Sequence, residues 1–498
     1  MGGTDPVFRA GETHLPPPGR LALTRRQGLR GAALAAGVAL GGAVLAGCAG
    51  RTRTSAAAAP TKAAAAVIHL LWRPWYNFTG SQTTAGHALL LQGIEPWLAT
   101  HPGVDVTITY LGYQGTTVSA LLAGQGPDVF ADWVIPDFDT GSTHLLLDLS
   151  KYVRQDNVDL TIFPKFEIQF YSQDGGLIAL PSYFHLQAPA VDLGALDNLG
   201  LTYPETGWTY TEWANLYRSA TVKSSDPTKA RIGGEFIWSG YDGANGNPHA
   251  YYLAGFGGEY IDPSNRSRGY LEQPGSVACL QWLYGLINEG ACDTGGAAFP
   301  GRKTVGSMDT AGGLVAAASA LRSTKWQIYD EPTYPAARTA YVWTDFYGIS
   351  ASTAQPDLSW ELLRYLCVEP DWQRWMVKLA LNGPNQKALY SEWAATVREV
   401  APPLANVDLE VFTRQMENNE PYFGVIVPYA DTQTGAVINS ALAPAQKDLT
   451  ALPSGVQQAD QRVDALQAAQ ALIAGAAVGE ARQFPTTGPV IAGAVAGV

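Results

Sequence analysis

The stretch from residue 67 to residue 111 changes its hydrophobic period twice. Val67–Trp72 is a short apolar run, residues 85–99 place apolar side chains at helical spacing, and residues 104–111 alternate apolar with polar side chains. A strand, a helix and a strand in succession predict an α/β layer with a parallel sheet. The pattern continues with a predicted helix at 115–123, a strand at 129–133, a helix near 158–170 and a strand at 177–180.

The composition is that of a large protein with a substantial core. Of the 498 residues, 46% are hydrophobic and 15% are charged, which is sufficient for two lobes of ordinary domain size. The sequence has no repeat of fixed period, which excludes solenoids and propellers. A formal net charge of −12 without basic runs argues against nucleic acid as a partner.

The N-terminal segment has the pattern of an export signal. Arg25 and Arg26 precede an Ala-, Gly-, Val- and Leu-rich run at 32–47 that contains no acidic residue. This run is shorter than the roughly 20 apolar residues that span a bilayer. A basic segment, a short apolar run and small residues are instead typical of a cleaved secretory signal.

Two motifs in this segment resemble known export motifs. Residues 24–30 read TRRQGLR and resemble the twin-arginine motif, although Gly28 stands where an aromatic residue is usual, so the general export route stays open. Residues 45–48 read LAGC and resemble a bacterial lipobox. The resemblance implies that residues 1–47 are a signal peptide and that Cys48 receives a diacylglyceryl group. Residues 48–66 are Ala-rich and would form a tether to the outer face of the cell membrane. The alternative is a buried cysteine in an Ala-rich helix.

The other three cysteines are predicted to be free thiols. If residues 275–289 form a helix, Cys279 and Cys292 lie about 20 Å apart along its axis at 1.5 Å per residue. That separation is too large for a disulfide. We therefore expect Cys279, Cys292 and Cys367 to be buried and reduced.

Six segments resemble one protein family in their order and spacing. They read HPGVDVTI at 101–108, LLAGQGPDVFADW at 121–133, DGGLIALPSYF at 174–184, AGFGGEYIDPSNRSRGYLEQPGSVACLQWLYGLINEG at 254–290, AYVWTDFYGISASTAQPDLSWELLRYL at 340–366 and NGPNQKALY at 382–390. They resemble the family 1 extracellular solute-binding proteins, the capture subunits of ABC importers for sugars, which include the maltose-binding protein. One departure is Val191-Asp192, where the family usually has Tyr-Asn before Asp or Lys.

The resemblance implies a periplasmic-binding-protein-like (type II) α/β fold, with two α/β lobes around a ligand cleft joined by a hinge. The first lobe would hold residues 67–180 and 305–345, and the second residues 185–300 and 350–498, with crossings near 181–184, 301–304 and 346–349. Hinge closure would be driven by a ligand that contacts both lobes only in the closed form. The implied partners are a carbohydrate and the transmembrane subunits of an ABC permease. The protein is expected to be a monomer without a cofactor.

Aromatic and acidic residues near strand ends are the candidates for ligand binding. Sugars present flat CH faces ringed by hydroxyl groups, so their sites combine aromatic platforms with short polar groups. The candidates are Trp75, Tyr76, Asp132, Trp133, Tyr183, His185, Trp238, Tyr241, Asp242, Trp343 and Asp345. By contrast, Trp282, Trp360, Trp372 and Trp375 lie at helical spacing among Leu and Ile and are predicted to be core residues. Asp128 follows Gly126-Pro127 and is predicted to be a turn or cap residue.

Other functional classes receive less support. A secreted glycoside hydrolase needs two carboxylates, and acid pairs occur in any chain with this many Asp and Glu residues. His-Glu-x-x-His, ligand-spaced Cys pairs and Gly-x-Ser-x-Gly do not occur in the sequence, so no metal site or hydrolase elbow is predicted. A lipid-anchored scaffold gives no reason for a two-lobed layout. The sequence favours a binding protein for a neutral sugar over an enzyme, with polyols and glycerophosphodiesters as alternative ligands.

Overall fold

The structure is a computed structural model that describes residues 66–72, 84–110, 120–121, 123–132, 145–173, 175–226, 229–235, 250–260, 267–293, 304–310, 313–315, 325–380, 383–418, 420–422 and 431–481. Residues 64–498 belong to one compact unit.

The strands alternate with helices along the chain. The described strands are β1 Ala66–Trp72, β2 Val104–Tyr110, β3 Val129–Asp132, β4 Ser172–Gln173, β5 Gly176–Leu177, β6 Leu180–Asp192, β7 Ile232–Glu235, β8 Cys292–Asp293, β9 Thr304–Thr310, β10 Trp326–Ile328, β11 Thr339–Ile349, β12 Gly383–Pro384 and β13 Glu420–Tyr422. The described α-helices are α1 Thr84–Thr100, α2 Ser150–Gln155, α3 Lys165–Phe170, α4 Leu193–Leu199, α5 Tyr210–Ala220, α6 Ala250–Gly255, α7 Pro274–Asn288, α8 Pro356–Cys367, α9 Pro370–Ala380, α10 Tyr390–Val400, α11 Glu410–Asn418, α12 Asp431–Leu442 and α13 Leu452–Ala481.

The first strand, helix and strand form as predicted. β1 pairs in parallel with β2 along its whole length and with β3 at Leu70 and Leu71. Ile68 and Leu70, which lie on the same face of β1, are fully buried, whereas His69 between them is exposed. The predicted helix near 158–170 is shorter, because Pro164 separates a 3₁₀ turn at Leu160–Ile162 from α3. The predicted helix at 115–123 lies mostly outside the described residues.

One large mixed sheet contains most of the described strands. Its strand order is β2-β1-β3-β11-β6-β9-β7-β8. β11 is antiparallel to both β3 and β6, and β6 is antiparallel to β9, which runs parallel to β7. β6 therefore runs in the direction of β3 but opposite to β9. It is the long strand that connects the two halves of the sheet, one formed by β2, β1, β3 and β11 and the other by β9, β7 and β8.

The three largest of the four hydrophobic clusters among the described residues cover this sheet. The first surrounds β1, β2 and β3 and continues to α8 and α9, the second gathers α5, α7, α12 and α13, and the third packs β6 and β11 against α10 and α11. Representative side chains are Ile68, Phe130, Trp360 and Trp372 in the first, Trp213, Leu283, Ile438 and Val463 in the second, and Phe184, Val342, Trp393 and Phe412 in the third. The four tryptophans predicted to be core residues all pack in the first or the second cluster.

The strand pairing differs from the predicted assignment of segments to lobes. β9 lies within the segment assigned to the first lobe, yet it pairs with β7 and the second half of β6. α8 and α9 were assigned to the second lobe, yet they pack in the first cluster. Residues 346–349, predicted as a crossing, pair with β3. Such long-range pairing depends on partners far away in sequence, which local patterns do not encode. The division into two lobes itself stays a prediction.

The described cysteines are buried free thiols, as predicted: Cys279, Cys292 and Cys367. Burial raises the pKa of the Cys279 and Cys367 thiols well above the ordinary value, so both stay protonated and unreactive. Among the described helices, none combines the length and the apolar content needed to cross a membrane.

Candidate ligand-binding site

The two halves of the sheet direct their strands toward a common region of β6. β3 ends at Asp132, which pairs with Phe346 of β11, and Phe346 in turn pairs with Pro181. From the opposite direction, β9 ends at Thr310, which pairs with Gln187. The carboxyl ends of β3 and β9 thus face each other across residues 182–186 of β6. Open α/β sheets bind ligands outside the carboxyl ends of their strands, so this region is the candidate site.

β6 has one apolar face and one polar face along this region. Phe184, Leu186 and Ala188 are buried in the third hydrophobic cluster. Successive strand residues point to opposite faces of a sheet, which places the intervening Tyr183, His185 and Gln187 on the other face. The ring of Tyr183 also packs in the first hydrophobic cluster.

The neighbouring strand β11 extends this polar face. Asp345 pairs with Tyr183, and Trp343 pairs with His185. Residues directly opposite each other in an antiparallel pair share a face. We define the polar face as Tyr183, His185, Gln187 and Asp345.

The polar face is buried, and His185 contacts both Asp345 and Tyr183 on it. Tyr183, His185, Gln187 and Asp345 are 7%, 8%, 5% and 1% exposed. The Nε2 atom of His185 lies 3.5 Å from Oδ2 of Asp345. The rings of Tyr183 and His185 pack edge to face with centroids 5.3 Å apart. A carboxylate, an imidazole, a phenol and a carboxamide together offer both donors and acceptors for hydroxyl groups.

A β-bulge lies at the start of this region. The register of β6 against β11 shifts between Asp345 and Phe346, so that Ser182 has no partner between Pro181 and Tyr183. Proline removes a hydrogen-bond donor from a sheet and is tolerated at bulges. Bulges of this kind redirect side chains near binding sites.

β12 supports the same region from the other edge of β6. Gly383 and Pro384 pair with Phe184 and Tyr183. A Cβ atom on Gly383 would collide with the ring of Phe184, so only glycine allows this approach. The next residue, Asn385, donates from its side-chain amide to the carbonyl oxygen of Pro181. The resemblance of residues 382–390 to a family turn thus falls on a segment that holds β6 in place.

The predicted site residues divide into two groups. The structure brings together Tyr183, His185 and Asp345, and it places the backbones of Asp132 and Trp343 in the adjoining strands. The remaining candidates lie outside the described residues: Trp75, Tyr76, Trp133, Trp238, Tyr241, Asp242 and the attachment residue Cys48. Gln187 was not selected from the sequence, although its spacing of two from His185 was a usable signal.

Asp128 has a structural role, as predicted. Its carboxylate accepts hydrogen bonds from the backbone N–H of His69 at 2.8 Å and from the Thr353 hydroxyl at 2.5 Å. It therefore ties β1 to the segment that follows β11.

The described part of the chain contains no group of three or more His, Cys, Asp or Glu side chains arranged to hold a metal ion.

The sequence of this region falls within a known family. Residues 80–368, more than half of the chain, match the profile of the bacterial extracellular solute-binding proteins. The chain belongs to this family. No curated protein matches this solute-binding protein in sequence.

Solved structures of other binding proteins share the fold. An ABC substrate-binding protein from Listeria monocytogenes in complex with cycloalternan has a TM-score of 0.62 at 11% identity, covering 81% of this chain and 99% of its own. Maltose-bound MalE3 of T. maritima has a TM-score of 0.58 at 18% identity, covering 81% and 100%. The cyclic alpha-maltosyl-1,6-maltose binding protein from Arthrobacter globiformis has a TM-score of 0.61 at 13% identity, covering 80% and 98%. At these identities the likeness shows the fold, and it confirms the predicted type II periplasmic-binding-protein class.

Proposed function

We propose that this solute-binding protein captures a neutral mono- or oligosaccharide outside the cell and delivers it to the permease of an ABC importer. It would bind the sugar on the polar face of β6 and β11 and release it unchanged.

The observation that carries this proposal is the position of the polar face. Tyr183, His185 and Asp345 lie where the carboxyl ends of β3 and β9 face each other. β6 belongs to both halves of the sheet, so a ligand held on it can contact groups from both. A ligand with more contacts in a closed form than in an open form shifts the population toward closure.

The chemistry of the polar face suits a neutral sugar. The Asp345 carboxylate accepts hydrogen bonds, and the Tyr183 hydroxyl can both donate and accept. The four described members of this face include no Lys or Arg, the side chains that usually recognise phosphate and carboxylate. The three similar structures named above carry cycloalternan or maltose, or are named for a cyclic maltosyl-maltose, which supports the carbohydrate class.

Binding without turnover is the test of this proposal. The compact unit from Ala64 to Val498 would be titrated calorimetrically with glucose, maltose, maltotriose, cellobiose and mannotriose, and each sugar recovered afterwards for chromatography. We expect saturable binding of at least one sugar and its recovery intact. Cleavage of a bound sugar would make the protein a glycoside hydrolase, and a lack of binding across the sugars would reject the carbohydrate class.

A substitution at the polar face links binding to this site. Asp345→Asn keeps the shape of the side chain but removes its charge, and a hydrogen bond to a charged group contributes about 1.5–3 kcal/mol. We expect the dissociation constant to rise about tenfold or more. Asp371→Asn is the matched control, because the Asp371 side chain is 81% exposed on α9. Equal losses of sugar affinity in Asp345→Asn and Asp371→Asn would show that the sugar binds elsewhere.

We further propose that Cys48 anchors the protein to the outer face of the cell membrane. This rests on the sequence LAGC at 45–48 after a basic and apolar segment. Growth of a bacterial host with an alkyne-tagged fatty acid would label the full chain but not Cys48→Ala, whereas Cys279→Ala would still be labelled. Label retained in Cys48→Ala would reject the anchor.

A further inference from the structure

Gln187 is a buried carboxamide on the polar face whose oxygen has no hydrogen-bond partner among the described residues. It is 5% exposed, and its Oε1 atom is inaccessible to solvent and accepts no hydrogen bond from the part of the protein that the structure describes. It lies two residues beyond His185 on the same face of β6 and pairs with Thr310, the last residue of β9. An unpaired oxygen therefore lies in the region where the two halves of the sheet meet.

Two other buried glutamines in the described part of the chain, Gln373 and Gln386, have clear structural partners. The amide of Gln373 donates to the carbonyl oxygen of Leu366 at 2.8 Å. The amide of Gln386 donates to the carbonyl oxygens of Cys367 and Val368 at 2.9 and 2.8 Å. Both link a helix end to a neighbouring segment, which is the usual reason to bury a glutamine.

The unpaired oxygen has a free-energy cost that packing alone does not explain. A buried polar group without a partner loses its hydrogen bonds to water and gains none in return. A methionine or leucine would fill the same volume on β6 without that cost. An unsatisfied buried group in a native structure therefore requires an explanation, and here the explanation is a bound partner that completes the hydrogen bond.

We propose that Gln187 is a ligand-binding residue whose carboxamide oxygen accepts a hydrogen bond from a hydroxyl group of the bound saccharide. This inference rests on the proposed function. It adds a selectivity element to the polar face, because a buried polar group rejects a ligand that lacks the matching hydroxyl far more strongly than an apolar pocket does. Gln187 would therefore contribute to choosing among sugars that differ at one hydroxyl group.

Gln187→Met tests the inference because methionine has a similar length and only a weak acceptor. The compact unit would be titrated with the tightest-binding of glucose, maltose, maltotriose, cellobiose and mannotriose, and then with monodeoxy analogues of that sugar. We expect the dissociation constant to rise about tenfold, which corresponds to about 1.4 kcal/mol. We also expect one deoxy analogue, bound weakly by the parent, to bind Gln187→Met about as well as the sugar itself does.

Thermal unfolding without sugar separates a binding role from a structural one. Because its oxygen has no partner to lose, Gln187→Met should melt at the parent temperature or above, whereas the control Gln373→Met loses a hydrogen bond and should melt lower with unchanged affinity. A lower melting temperature for both Gln187→Met and Gln187→Leu would make Gln187 a structural residue and overturn the inference. If Gln187→Met binds the sugar as tightly as the parent does and discriminates equally between the sugar and its monodeoxy analogues, the inference is overturned while the proposed function stays in place. If the parent binds none of the five sugars, the proposed function fails, and the sugar contact of Gln187 fails with it.

Discussion

Glu331 should make the stability of the protein fall as the pH rises. Its side chain is 0% exposed, in the segment between β10 and β11. Burial raises the pKa of its carboxyl well above the ordinary value of 4.5, and this outweighs the hydrogen bond from the Tyr334 hydroxyl and the charge of Arg338, which lower the pKa. The folded protein therefore holds a proton on Glu331 at a pH at which the unfolded chain has released it.

The sign and the size of the effect follow from this difference. Below about pH 4.5 the Glu331 carboxyl is protonated in both the folded and the unfolded protein, so it does not lower the free energy of unfolding. As the pH rises from there toward the folded-state pKa, the free energy of unfolding falls by about 1.4 kcal/mol for each pH unit. Glu331→Gln removes the titration, while its amide oxygen can still accept the hydrogen bond that the Tyr334 hydroxyl donates to Oε2 at 3.1 Å.

The measurement is urea unfolding of the compact unit at pH 4.5, 5.5 and 6.5 for the parent and Glu331→Gln. We expect the two proteins to be similar at pH 4.5 and the variant to gain about 1.4 kcal/mol over the parent with each further unit. Glu205→Gln, at an exposed position, should keep the parent's pH dependence. A stability difference between parent and Glu331→Gln that stays constant across this range would refute the assignment of a raised pKa to Glu331.

Two glycines provide further tests of the packing. Gly93→Ala would place a Cβ atom 2.7 Å from Cζ3 of Trp372. We expect the resulting overpacking between α1 and α9 to lower the free energy of unfolding by about 1–3 kcal/mol. Urea unfolding identical to that of the parent would show that Trp372 moves aside freely. Gly233→Ala would drive a Cβ atom into the backbone carbonyl of Tyr217, which cannot rotate away as a side chain can. We therefore expect a larger loss than in Gly93→Ala, and the reverse order in urea unfolding would contradict the described contact between β7 and α5.

Local patterns in the sequence were sufficient for the elements around β1. The apolar run that ends at Trp72 and the helical spacing at 85–99 predict β1 and α1 closely, because each pattern matches the period of one regular structure. The same reasoning placed Asp128 at a turn and Trp360 and Trp372 in the core. Pro164 shortened a predicted helix, and its effect could have been foreseen from its missing N–H.

Long-range pairing was beyond the reach of these patterns. β9 pairs with β6 across more than a hundred residues of chain, and no local feature of its sequence indicates which half of the sheet it joins. α8 likewise packs beside β1 although nearly three hundred residues separate them. The assignment of segments to lobes followed a resemblance to a family and stays a prediction, although the pairing of β9 and the packing of α8 and α9 differ from it.

The candidate site was partly visible in the sequence. Tyr183, His185 and Asp345 were selected as polar or aromatic groups near a crossing, and the register of β6 and β11 brings them together. Gln187 was missed because a single glutamine carries no chemical motif. Period-two spacing from Tyr183 through His185 would have placed it on the same face of β6. Its burial and its unpaired oxygen, by contrast, are visible only in the structure.

The central claim is that a sugar binds on the polar face between the carboxyl ends of β3 and β9. A crystal structure of the compact unit grown with the tightest-binding sugar tests it most directly. We predict sugar hydroxyls within hydrogen-bond distance of the Asp345 carboxylate and of His185 or Gln187. A sugar seated away from β6 and β11, with these side chains arranged as they are now, would contradict the account.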